Sequence, residues 1–92
     1  MRKTLHAREI ALTLGIQGLK PSTRKGKRFM VPGPDGWIHF GVWPIRDGTF
    51  LDHRDQKKRA AWRARHSRIM RNGKPAYLDR SSPAFYAWHI LW

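Results

Sequence analysis

The residues best equipped for chemistry lie in Leu51–Arg71, LDHRDQKKRAAWRARHSRIMR, which holds an HRD triplet, His53 and His66, and eight Lys or Arg. Three chemistries fit such residue types: a phosphoryl-transfer loop, a metal site, or cationic anion binding. The kinase loop needs an Asn five residues after the Asp of HRD, with a DFG triplet and a Gly-rich loop. Position 60 is Ala and the other motifs are absent. A metal-dependent nuclease would gather His39, His53 and His66 with Asp52 or Asp55 around an ion. His53 and His66 lie thirteen residues apart, not at the i, i+4 spacing of one helix face. The kinase reading falls away and a small metal-dependent nuclease stays a third, less favoured reading; no catalytic residue, metal or cofactor is expected. His39, His53 and His66 are read as structural polar groups, and Asp55 as a helix cap.

Anion binding remains. At about 100° per residue, Trp62, His66 and Ile69 form one stripe, while Lys57, Ala60, Ala64, Arg68 and Arg71 lie opposite. Arg outnumbers Lys six to two between Arg54 and Arg71. Arginine forks match phosphate oxygens in pairs. A second basic run precedes it, with five cations among the nine residues Lys20–Arg28. The phosphate-binding candidates are Arg24, Lys25, Lys27, Arg28, Lys57, Lys58, Arg63, Arg65, Arg68 and Arg71. Their spacing implies no base readout, so sequence specificity is not expected.

Those side chains need elements to carry them. KRFMV and WIHFGVW flank PGPDG, a hairpin over about residues 27–43 with a loop of about five residues. Ile38, Phe40 and Val42 share the core face. Residues 44–54 read as a connection with a turn at Asp47-Gly48. A Gly- and Pro-free run from Asp55 to Asn72-Gly73 predicts a basic helix over about 56–71, with Asn72-Gly73 as its stop. In SSPAFYAWHILW, Ser82 caps a hydrophobic helix over about 83–92 with Pro83 at its first position. Its terminal Trp88 and Trp92 are read as interface residues. Over residues 1–18, Thr4 as cap and Gly15 or Gly18 as stop favour a helix, taken as an arm before a domain of residues 19–92.

The fold class is α+β, a small domain of 92 residues. Net charge is +13 at a pI near 11.6, a surface that attracts polyanions. Cysteine is absent, which excludes disulfides and thiolate metal sites. No stretch approaches the roughly 20 apolar residues of a membrane span. His6, Arg8 and Glu9 interrupt the segment after MRK, so a secretory leader is not expected.

From Leu19 onward, LKPSTRKGKRFMV, IHFG, LDHRD, KKRAAWRARH and SSPAFYAWHILW occur in an order that resembles a family of short basic proteins of tailed phages and large DNA viruses of eukaryotes. The resemblance implies a viral source, a place in the virion or the infected cell, and no established enzymatic activity. Joined to the charge and the arginine-rich helix, it makes a genome-associated protein bound to nucleic acid, DNA above all, the leading expectation. The alternative is a minor capsid, cement or connector protein whose positive face docks acidic surfaces of other subunits in an assembly. Gln56 stands where relatives often carry Pro, so the helix start rests more heavily on Asp55.

Overall fold

The computed structural model describes residues 2–92. It is an α+β fold: a three-stranded antiparallel sheet in the order β1-β2-β3, with helices packed against it. Helix α1 (Thr4–Thr13) leads into β1 (Lys20–Pro21), β2 (Lys27–Gly33) and β3 (Gly36–Val42). Then follow α2 (Phe50–His53), α3 (Gln56–His66), and a small hairpin of β4 (Met70–Arg71) and β5 (Lys74–Pro75). A 3-10 turn (Ala76–Leu78) reaches α4 (Pro83–Tyr86), which continues as a π-helical turn over Ala87–Leu91.

The predicted hairpin forms. Phe29 pairs with Phe40 and Val31 with Ile38, which places these side chains on one face. Gly33 pairs with Gly36, so the loop is two residues, Pro34-Asp35, rather than about five. Proline's fixed φ suits the second position of a tight turn, which shortens the connection. Phe40 is buried as expected, whereas Val42 is 62% exposed because the strand end runs out beyond the core into a cleft. A short third strand, β1, lies at the start of the basic run Lys20–Arg28 and pairs with β2.

Helix α1 lays Ala7 and Ala11 into the same core as Phe29, Val31, Phe40, Phe85, Ile90 and Leu91. The residue preceding its first turn is Lys3, with φ 60°, not Thr4. Gly15, at φ 75°, ends it: its N–H reaches the Leu12 carbonyl and that of Ile16 the Ala11 carbonyl. This is the glycine-stopped crossover that ties off helix carbonyls, with Ile16 closing the apolar contact. At the other end Ser82 Oγ accepts from the Ala84 N–H, and Pro83 takes the first turn.

Two expectations are corrected between residues 44 and 75. The connection contains α2, because the Asp52 carboxylate accepts from Thr49 N–H and Oγ1 and closes a capping turn. The basic helix stops at His66 instead of running to Arg71. Asn72 and Gly73, at φ 52° and 81°, are not a helix stop but the two-residue turn joining β4 to β5. Positive φ at both central residues matches the right-handed twist of a hairpin, and Asn-Gly accepts it cheaply. Ile69 consequently leaves the packed stripe and is 48% exposed. Arg63, Arg65 and His66, not Arg68 and Arg71, occupy the last helical turn.

Candidate nucleic-acid interface

Helix α3 has no buried residue. Its start is fixed by Asp55, whose carboxylate accepts from Lys57 and Lys58 N–H at 3.0 and 3.2 Å. Arg54, at φ 59°, turns the chain from α2 to α3, and His53 Nδ1 accepts the Asp55 N–H at 2.9 Å. HRD is thus a corner between two helices. The His53 imidazole carries its proton on Nε2, because Nδ1 is an acceptor.

Rings hold the helix to the body. Trp62 stacks on His66 at 3.9 Å and on Trp92 at 4.9 Å, and lies tilted to Trp88 at 5.8 Å. Tyr77 stacks on Trp88 at 4.0 Å, and His53 meets Trp92 edge-on. Trp88 and Trp92 are half-buried in this intramolecular cluster. Arg54 and Arg59 lie over Phe50, and Arg63 over Trp88. The helix has a ring-packed inner side with Arg59, Trp62, Arg63 and His66, and an outer side with Lys57, Lys58, Ala61, Ala64 and Arg65 exposed.

The candidate cations separate accordingly. Lys57, Lys58 and Arg65 are exposed on α3, Arg68 in the turn after it, and Arg24 and Lys25 in the turn between β1 and β2. Lys27 is half-buried at the start of β2. Arg63 is half-buried; burial, then the charge of Arg59, lowers its pKa, and its Nε is buried without a partner. Arg71 is exposed and approaches Asp79 Oδ2 at 3.6 Å. The hydrogen bonds of Ser81, outweighing burial, hold the Asp79 carboxyl below its ordinary range.

Arg28 is a correction. It is 1% exposed and gives both terminal nitrogens to Asp52 at 2.8 Å, with Nε and Nη2 also donating to the Arg2 carbonyl. It cannot reach a phosphate. Burial works to raise the Asp52 carboxyl, but the Arg28 hydrogen bond, the Thr49 N–H, the Arg28 charge and the Thr49 hydroxyl overcome it and hold it at about 2. The sequence carried one usable signal for this pair, the T-x-x-D spacing of Thr49 and Asp52.

The histidines do not converge on a metal. His39 Nδ1 is 2.6 Å from Ser22 Oγ on the sheet, and burial, then Arg24 and Lys27, lower its pKa. His53 and His66 both border the Trp62–Trp92 stack, and only His66 shares a cleft with hairpin residues. Among the described residues, no three His, Cys, Asp or Glu come together as a metal ligand set. No helix among them is long and apolar enough to cross a membrane.

Beside the stack opens a cleft of about 430 Å³ between the hairpin end, the loop after β3, α3 and the C-terminal helix. Gly41 shapes its floor. Its φ is +81°, and a Cβ there would lie 3.0 Å from both Arg28 Cβ and Leu91 Cδ1, so only glycine lets strand and helix approach.

No curated protein and no solved structure matches this chain. The model of a family of unknown function (DUF5754) matches residues 18–66, which run from just before β1 to the end of α3. The hairpin, the Arg28–Asp52 pair and the cationic helix all lie within the match, and the chain belongs to that family.

Proposed function

We propose that this protein binds nucleic-acid phosphates through the outer side of α3, largely without sequence specificity and without catalysis. The carrying observation is α3 itself: five Lys and Arg, no acidic residue within Gln56–His66, and no buried side chain. Arg59 and Arg63 sit at i, i+4, where like charges repel by roughly 0.2–0.5 kcal/mol. Among the described residues only two ion pairs form, Arg28–Asp52 and Arg71–Asp79, and the net +13, already discounted for all six acidic residues, is unanswered within the fold. A polyanion answers it. Small Ala61 and Ala64 between the exposed cations let a phosphate backbone approach closely.

Neutralised phosphates release counterions, so the logarithm of affinity falls with that of salt by about 0.9 per contact. Replacing Lys57, Lys58 and Arg65 together by Gln should reduce that slope by about two to three in a salt titration of DNA binding. No binding at low salt, or a flat salt dependence, overturns the reading.

Exposed Ile69, Met70 and Leu78 beside the small β4–β5 hairpin favour a second reading, a cationic and apolar face docked on an acidic protein. That reading fits a structural part of an assembly. The viral setting implied by the sequence resemblance belongs to the proposal too. Stoichiometric copies in purified virions would support a packaged protein, and presence only in infected cells would oppose it.

A further inference from the structure

The cleft beside the aromatic stack combines features that α3 alone lacks. One wall carries the rings of Trp62, His66 and Trp92, with Trp62 nearly parallel to His66 at 3.9 Å and to Trp92 at 4.9 Å. Its inner surface is aliphatic and aromatic, with Phe40, Ala87 and Leu91. Its polar lining includes Lys27, Arg46 and Thr49, and Asp47 is the one acidic side chain in it. Arg28 also borders the cleft, but its charge is answered by Asp52. Lys27 and Arg46 have no acidic partner among the described residues. The matching ligand is a group with an apolar ring at one end and an anion at the other. The cleft volume lies within the range of small-molecule sites, roughly 300–1,000 Å³. His66, on the inner side of the last turn of α3, lines the cleft beside exposed Arg65, so a strand held on the outer side reaches the opening by passing the end of the helix.

We propose that this cleft receives an unpaired nucleotide of a bound strand, its base against the Trp62–His66–Trp92 wall and its phosphate at Lys27 and Arg46. This rests on the reading of α3 as the phosphate-binding element. Bases of any identity present an apolar ring face, so the site adds affinity for single strands without adding sequence preference.

The test uses the intact wild-type chain and fluorescence anisotropy at one fixed salt concentration. The probes are oligothymidylate, an abasic strand of equal phosphate number, and a blunt duplex. Oligothymidylate should bind about tenfold tighter than the abasic strand, the scale of one base stacked on aromatic rings. Ala84→Leu, which fills the cleft from the start of α4, should erase that difference, with far-UV circular dichroism verifying the fold. Equal binding of the oligothymidylate and abasic strands overturns the cleft assignment and leaves the α3 reading standing. A base-dependent difference that survives in folded Ala84→Leu overturns it as well. Tighter binding to anionic phosphatidylglycerol vesicles than to oligothymidylate would give the cleft to lipid instead. Absence of binding to all three probes at low salt overturns the α3 reading itself.

Discussion

At the scale of residues, burial decides what a charge is for. Arg28 and Lys27 are neighbours in sequence and both border the cleft, yet one is enclosed with Asp52 and the other has no acidic partner among the described residues. Nothing in KGKRFMV separates them, because the distinction depends on a carboxylate twenty-four residues away. Asp52→Asn should destabilise the fold by about 3 kcal/mol in urea unfolding, since it leaves a buried guanidinium without its counter-charge. The wild-type pair also sets an acid limit. The folded Asp52 carboxyl sits at about 2, below its ordinary 3.8, so its stabilisation is complete above about pH 4 and is lost as pH falls toward 2. That window corresponds to roughly 2 kcal/mol. Acid titration of the wild type should show this loss, and Asp52→Asn should flatten it.

At the scale of elements, local signals were legible where they act locally. Ser82-Pro83, Gly15 and Asp55 stop or start helices by bonds to their own neighbours, so each reads directly from the chain. Asn72-Gly73 misled because one dipeptide serves two ends, a helix stop or a hairpin turn. Which applies depends on whether Met70 and Arg71 find Pro75 and Lys74 to pair with. The docking of α3 was only half legible. Trp62 and His66 were expected to pack, but their partners Trp88 and Trp92 arrive from the far end of the chain. Because α3 buries nothing fully, Trp62→Ala should loosen it by about 2 kcal/mol, less than the 3–5 of a fully buried Trp. Amide hydrogen exchange should then speed up across residues 56–66 first, while β2 and β3 stay protected.

At the scale of the whole molecule, a chain of 92 residues carries +13 on a body about 31 × 28 × 27 Å. Such crowding of one sign opposes the folded state, and added ions relieve it. Raising ionic strength from low salt should therefore raise the thermal midpoint by several degrees. A polyanion that binds the folded chain should raise it further at a much lower concentration, by mass action. Scanning calorimetry across a salt series checks both. A midpoint that falls with salt would mean that surface attractions, not repulsions, dominate.

The ring cluster also makes the protein its own optical reporter. Trp62, Trp88 and Trp92 are linked by ring-centre separations of 5.8 and 4.9 Å, close enough to exchange excitation before they emit. Trp37, 46% exposed at the start of β3, lies outside that ring cluster. Its emission should be red-shifted and respond to the solvent around the hairpin, whereas the near-ultraviolet dichroism of the coupled indoles should follow the seating of α3. Solvent changes at Trp37 and the seating of α3 are thus followed by two different signals of an unlabelled chain.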